Sequence, residues 1–257
     1  MKDHCPGCSS RVHLGFDFSM AFQPIVDAAQ NRIWGYEALV RGLDGEGAAA
    51  MLAQVTEEGR YRFDQACRVK AIELAAQLFP PRQSIKLSIN FLPNSVYEPA
   101  ACLHATFVAA RKADFPLKDI MFEFTENEAV RDTDHLRAII HEYRKQGFTT
   151  AIDDFGSGHA GLGLLCDFQP DLIKLDIQLT RGIETNRARQ VILSGILHIA
   201  RELEITVLAE GIETEASFVT LRAAGVRLFQ GYWFARPAFE ALPAVAQLGL
   251  PGRKAVA

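Results

Sequence analysis

Apolar and polar positions along the chain fall into two alternating rhythms. Short β-type runs lie at 20–26, 34–40, 84–90, 120–125, 149–153, 172–175, 206–209 and 227–231. Between them the spacing turns helical. In 134–146 the apolar residues Leu136, Ile139, Ile140 and Tyr143 recur at i, i+3, i+4 and i+7, and Gly147 closes the segment. Ile192, Gly195, Ile196, Ile199 and Leu203 trace a second amphipathic face, and Phe218 and Leu221 belong to a third helix that opens at Thr214 and stops at Gly225. Eight strands separated by helices predict a single α/β domain, a closed TIM-like (β/α)8 barrel, with an open doubly wound sheet as the competing architecture. No interior linker, short repeat or low-complexity tract divides it. Residues 1–14 and 249–257 read as tails around a domain spanning 15–248.

Composition narrows the functions open to such a barrel. Lys and Arg number 27 against 31 Asp and Glu, a net charge of −4, so no basic excess exists to neutralise a polynucleotide backbone. A small anionic ligand stays open, provided local charges or metals hold it. The start, Met1-Lys2-Asp3-His4-Cys5, lacks the apolar core of a signal peptide, and apolar stretches such as 191–200 are far shorter than a bilayer span. The cytoplasm is therefore the expected location. Five cysteines do not make a secreted disulfide framework; Cys67, Cys102 and Cys166 are expected to be buried small hydrophobes. Cys5-Pro-Gly-Cys8, with His4 and His13 nearby, has half the ligands of a zinc site, and without a second pair at proper spacing it is expected to be a flexible tail.

The polar residues at strand ends carry the chemistry. Glu37 comes late in the second run, Asn90 ends the third, Glu123 lies in the fourth, and Asp153-Asp154 end the fifth. Lys174 sits late in the sixth, Glu210 ends the seventh, and Gln230 closes the eighth. In a β/α barrel those ends converge on one face, where active sites are built. Carboxylates gathered there repel one another unless cations are present. Oxygen donors suit magnesium or manganese rather than zinc. The adjacent pair Asp153-Asp154 could serve two ions, with one carboxylate bridging, an arrangement suited to in-line displacement at phosphorus. Any one of these residues alone reads as well as a helix cap; six strands ending in an acid or an amide do not.

Other motifs are thin. Asp153-Asp154-Phe155-Gly156-Ser157-Gly158 has the glycine spacing of a phosphate loop, but no Walker lysine follows. The histidines lack the paired spacing of a zinc hydrolase, and no Gly-x-Ser-x-Gly elbow occurs. The 17 phenylalanines are expected to fill the core.

Taken together, Glu37-Ala38-Leu39-Val40-Arg41, Gln23-Pro24-Ile25-Val26, Ser88-Ile89-Asn90, Glu123-Phe124-Thr125-Glu126, Asp153-Asp154-Phe155-Gly156, Lys174-Leu175-Asp176, Ala209-Glu210-Gly211-Ile212-Glu213 and Gln230-Gly231-Tyr232 resemble, in order, the motifs of the EAL-domain cyclic-di-GMP phosphodiesterases. The resemblance implies a barrel whose first strand runs antiparallel, and hydrolysis of cyclic di-GMP to linear pGpG. It implies two ions, Mg²⁺ or Mn²⁺: Glu37, Asn90, Glu123 and Asp153 holding the first, and Asp153, Asp154 and Glu210 the second. Lys174 would hold the attacking water or stabilise charge at phosphorus, and Glu210 is open between ligand and general base. Arg41 would grip a substrate phosphate, with Gln23 and Gln230 on the nucleotide. Glu126 and Glu213 would support the site, Glu126 by fixing the loop after Asp153-Asp154, which the family couples to a homodimer interface. That loop departs from the family pattern, reading Ser157-Gly158-His159-Ala160-Gly161-Leu162. The stretches Asn90-Phe91-Leu92-Pro93 and Arg60-Tyr61-Arg62-Phe63-Asp64 resemble the subgroup joined to blue-light-sensing BLUF domains, yet the short stretch ahead of residue 15 has no room for one, which points to a stand-alone catalytic domain.

Three functions compete at this point. One is an active metal-dependent phosphodiesterase, supported by a full set of ligands. The second is a catalytically silent cyclic-di-GMP receptor or protein-interaction regulator. The third is a metabolic barrel enzyme on another phosphorylated substrate, which shares the fold but has no need of this motif set.

Overall fold

The structure is a computed structural model and describes residues 14–245 apart from 82, 97, 126–132 and 158–160. Cys5, Cys8, Glu126, His159 and the segment 249–257 lie outside the described residues. The strands are β1 (Phe18–Asp27), β2 (Arg32–Gly42), β3 (Lys86–Asn90), β4 (Ile120–Thr125), β5 (Thr149–Phe155), β6 (Leu172–Leu175), β7 (Thr206–Ala209), β8 (Leu228–Phe229) and β9 (Ala238–Phe239). The helices are α1 (Ala48–Leu52), α2 (Arg60–Leu78), α3 (Pro99–Cys102), α4 (His104–Lys112), α5 (Thr133–Lys145), α6 (Gly161–Asp167), α7 (Ile177–Thr180), α8 (Arg187–Glu202) and α9 (Glu215–Ala223).

Strands β2 to β8 lie side by side in chain order, each parallel to the next. Strand β1 runs the other way and closes the barrel. It pairs with β2 from Phe18↔Gly42 to Asp27↔Arg32, and with β8 through Val26↔Phe229 and Asp27↔Leu228. The short β9 lies on β1 beyond β8, at Ala21↔Phe239 and Phe22↔Ala238. The predicted barrel and its antiparallel first strand are both present.

Strand alternation explains why the polar residues meet. Ile25, Met121, Ala151, Leu172, Leu208 and Leu228 form one apolar layer. Their strand neighbours Phe122, Ile152, Ile173, Val207 and Phe229 join the other, larger cluster packed beneath the helices. Two residues further along each parallel strand stand Glu123, Asp153, Lys174, Glu210 and Gln230; on the reversed β1 the equivalent step goes backwards, from Ile25 to Gln23. The side chains that follow the apolar layer therefore point into the barrel directly above it.

Helix α5 buries Leu136, Ile139, Ile140 and Tyr143 as its periodicity predicts. Helix α9 buries Phe218 and Leu221 behind an N-cap in which Thr214 Oγ1 accepts from the Ser217 N–H at 3.2 Å. Helix α8 differs from the reading of its apolar face. Leu193 and Ala200 anchor it, while Ile192 (50%) and Leu203 (38%) stay exposed and Ile196 and Ile199 are half-buried. Cys67 and Cys102 are buried as expected, but Cys166 is exposed on α6. The short α6 carries Leu164 and Leu165 inward and leaves the next position facing out.

At the base of the barrel Asp27 ties β1 to β8. Its carboxylate accepts from Arg227 at 2.6–3.1 Å and from the N–H groups of Ala29 and Gln30 at 3.0 Å. Burial raises the Asp27 pKa, but Arg227 and the two amides hold it below the usual carboxylate value. The resulting stability is present at neutral pH and is lost as the pH falls through that lowered value. Asp27→Ala is expected to cost about 1–2 kcal/mol at pH 7, discounted because Arg227 is half-exposed, with the deficit narrowing below about pH 4. Urea titrations of both proteins across pH 3–7 read this directly.

Candidate active site

Lys174 is the hub of the polar face. Its ammonium is fully buried and lies 2.7 Å from Glu210 Oε1, 3.0 Å from Asp153 Oδ1, 3.1 Å from Glu123 Oε1 and 3.4 Å from Glu37 Oε2. Asn90 Nδ2 donates to Glu37 Oε1 and Glu123 Oε1, each at 3.0 Å. Gln230 Nε2 donates to Glu37 Oε2 at 2.6 Å and to Gln23 Oε1 at 3.2 Å. Ser88, two residues before Asn90 on the same face, donates its hydroxyl to Glu123 Oε2 at 2.5 Å. Gly231 lets the Gln230 end press on the chain after Glu210, since a Cβ there would stand 2.2 Å from the Ile212 backbone.

Neighbours in a strand normally face opposite sides, yet Asp153 and Asp154 both reach this cluster. The register of β5 against β6 breaks between Ile152 and Phe155, and Asp154 adopts φ +54°, the left-handed region. This bulge rotates the second carboxylate inward. The Asp154 N–H also donates to Asp153 Oδ1 at 2.9 Å, which braces the turn.

Burial and the neighbouring carboxylates Asp153 and Asp176 push Asp154 up to about 6. Glu123 is raised well above the carboxylate range by burial, against the pull of Lys174, with Glu37 and Asp153 adding to the rise. Burial and Asp153 do the same to Glu210, again against Lys174. Glu37 is the exception. Burial raises it, but Lys174 and the hydrogen bonds from Gln230 and Asn90 hold it low. The Lys174 ammonium, penalised by burial, is kept protonated by the acids around it. One ammonium thus falls short of neutralising this many carboxylates. The site is built for more positive charge than the chain supplies.

Where that charge fits follows from the oxygen positions. Glu37, Glu123 and Asp153 present carboxylate oxygens within 4.8 Å of one another, and so do Asp153, Asp154 and Glu210. Asp153 belongs to both triads. All donors are hard oxygens, which suits Mg²⁺ or Mn²⁺. Asn90 turns its amide nitrogen towards Glu37 and Glu123, so ligation through Oδ1 requires the amide to turn over.

The remaining predicted residues surround this centre. Arg41 stands near the end of β2 and donates to the Val40 carbonyl at 2.7 Å. Glu213 lies on the rim, 3.7 Å from Arg181 and half-exposed. Cavities of ≈ 390 Å³ and ≈ 330 Å³ share Glu37 as a wall; the first is lined by Leu39, Phe63, Asn90 and Phe91, the second by Gln23, Asp154, Gln230 and Tyr232. A groove of ≈ 970 Å³ along α4 is larger, but no acidic triad lines it. Sequence reasoning missed Ser88 as a support for Glu123, and Asp176, the N-cap of α7, as a neighbour of Asp154. The strand period signals Ser88, which shares the parity of Asn90.

Comparison with known proteins places this geometry in a family. The family described as EAL domain matches residues 11–237. A solved structure of a standalone versatile EAL protein from Vibrio cholerae O395, in its c-di-GMP bound form, is 53% identical, with TM-score 0.87 over 91% of this chain and 97% of that one. A manganese and cy-diGMP complex of BlrP1 from Klebsiella pneumoniae is 37% identical, with TM-score 0.82 over 88% of this chain and 57% of that one. Among curated relatives, the blue light- and temperature-regulated antirepressor BluF of Escherichia coli K12 is 34% identical over 88% of this chain and 56% of its own length. Cyclic di-GMP phosphodiesterase PA2567 of Pseudomonas aeruginosa is 31% identical over 86% of this chain and 38% of its own length. The chain thus spans about half or less of these two relatives. No helix among the described residues is long and apolar enough to cross a membrane. With the domain match covering most of its length and the acidic strand ends in the expected register, the chain belongs to the EAL domain family.

Proposed function

We propose that the protein hydrolyses one phosphodiester bond of cyclic di-GMP to give linear pGpG, using two divalent cations, Mg²⁺ or Mn²⁺. The observation that carries this reading is the pair of acidic triads joined at Asp153. Glu37, Asn90, Glu123 and Asp153 would hold one cation, and Asp153, Asp154 and Glu210 the other. When bound, such ions lower the pKa of a water and neutralise charge on the phosphoryl oxygens. Lys174 fixes the orientation of four of the carboxylates at once and presents a positive charge where negative charge develops at phosphorus. Glu210, whose Oε1 lies 2.7 Å from the Lys174 ammonium, would serve as a ligand of the second cation or take the proton of the attacking water. Gln23 and Gln230 orient the nucleotide, Arg41 meets a phosphate at the mouth, and Glu126 and Glu213 support the surrounding loops. The two cavities that share Glu37 match a ligand with two bases.

Purified protein incubated with cyclic di-GMP and either Mg²⁺ or Mn²⁺ should release pGpG on chromatography. Retained ligand binding with no pGpG under any metal condition overturns this reading and leaves a silent receptor. The antirepressor among the relatives makes that regulator the second reading.

The protein would act in the cytoplasm, as a homodimer. Exposed Val191 and Ile192, consecutive on α8 and each at least 50% accessible, support a self-association surface. Ile192→Asp is expected to shift the sedimentation coefficient from dimer to monomer while leaving the fold intact.

A further inference from the structure

Helix α2 carries a charged pair into the core beside the acidic cluster. Asp64 and Arg68 have side chains no more than 1% exposed, with Arg68 Nε 2.8 Å from Asp64 Oδ2. Arg68 Nη1 donates to Tyr143 Oη at 2.8 Å, and the guanidinium lies 4.9 Å from the Phe122 ring centre, 5.5 Å from Phe91 and 5.7 Å from Tyr143. Arg68 is therefore held from α5, β4 and the segment after β3 together. Taking both charges out of water is costly, and an apolar pair of equal volume would pack there with no such cost. What an apolar pair lacks is an acceptor.

The free oxygen of Asp64 supplies one. Asp64 Oδ1 accepts the Leu92 N–H at 2.9 Å, while the preceding Phe91 N–H donates to the Glu123 carbonyl at 2.9 Å. Both amides that follow Asn90 are thus tied down, one to β4 and one to α2. The side chain of Asn90 bridges Glu37 and Glu123 from the last residue of β3, where its backbone is fixed on one side by the sheet and on the other by this strap.

We propose that Asp64 is a positioning residue for the acidic centre: through the Leu92 amide it sets the course of the chain leaving β3, and so the placement of Asn90 against Glu37 and Glu123. Arg68 and its aromatic surround fix Asp64 in turn. The proposal rests on the reading of Glu37, Asn90, Glu123 and Asp153 as a cation site, and deepens it.

Two neutral pairs separate the acceptor from the charge. Asp64→Asn with Arg68→Met keeps an acceptor for Leu92 and removes both charges; Asp64→Leu with Arg68→Met removes the acceptor as well. Mn²⁺ affinity is measured by titration calorimetry without substrate, and melting temperature alongside it. The Asn pair should bind Mn²⁺ within about twofold of the parent, and the Leu pair roughly tenfold more weakly, the usual scale for losing a support behind a metal ligand. Leu92→Pro deletes the same bond from the donor side while drawing φ from −102° towards about −65°, and should give at least the same tenfold loss if the Leu pair does not fold. Equal Mn²⁺ affinity in the parent and in either folded acceptor-less or donor-less variant overturns the positioning role. If the parent itself binds no Mn²⁺, the cation site falls and this proposal with it, an outcome the calorimeter distinguishes at once.

Discussion

Asp153→Asn should reduce the release of pGpG by roughly 10³-fold or more and abolish tight binding of both cations. Asp153 is the residue common to both acidic triads, so the substitution removes one negative charge from each. Its size is unchanged, and the amide oxygen of Asn can still accept the Asp154 N–H that braces the bulge. The fold therefore survives and the loss is electrostatic. Glu37→Ala, which strikes one triad, should also abolish turnover, but calorimetry should find the Asp153-Asp154-Glu210 position still occupied. A near-normal rate in either variant refutes the ligand assignment.

Lys174→Met has the second largest expected effect, and it separates charge from metal. The variant keeps a side chain of similar length in the barrel and leaves Glu37, Glu123, Asp153 and Glu210 without their common partner. Turnover at saturating Mn²⁺ should fall about 10²–10³-fold with metal occupancy retained. Removing one member of a buried ionic cluster costs on the order of 3–5 kcal/mol, so without divalent ions the variant should melt well below the parent. Saturating Mn²⁺, at about 100 times its Kd, returns roughly 2.7 kcal/mol to any protein that binds it only when folded. At one fixed Mn²⁺ concentration the variant should gain more than the parent, because acids freed of the Lys174 charge hold the ions more tightly. Equal gains in thermal scans, or lost occupancy, overturn this division of roles.

How far the sequence reveals this arrangement depends on the element. Strands β4, β6 and β7 coincide with their predicted limits because polar or turn residues bound short apolar runs. At β8 the expected run of 227–231 shrinks to Leu228–Phe229, since Gln230 already bonds across to Ala209 and Ile212 as the chain turns. Helix α2 stays hidden from periodicity for a physical reason: its inward face carries Asp64, Gln65 and Arg68, whose polarity cancels the apolar signal. The same masking conceals the Asp64–Leu92 strap. Most site residues are legible because strand ends in a barrel converge by construction, whereas the bulge that turns Asp154 inward has no signature in residue type. The outward apolar side of α8 looks like any core-facing helix until the barrel shows that no other element among the described residues covers Ile192.

The reversed first strand has a further consequence for anything attached to this domain. Because Phe18 pairs with Gly42, the chain arrives at β1 from the pole that carries Glu37 and Lys174. Strand β9, antiparallel to β1 at Ala21 and Phe22, heads back to that same pole. In an all-parallel barrel an N-terminal fusion would dock at the opposite end. Here a module joined ahead of Phe18 or behind β9 is tethered at the catalytic mouth, and ten linker residues reach no more than about 35 Å from it. Short tethers at either end would therefore gate access to the acidic centre by crowding alone.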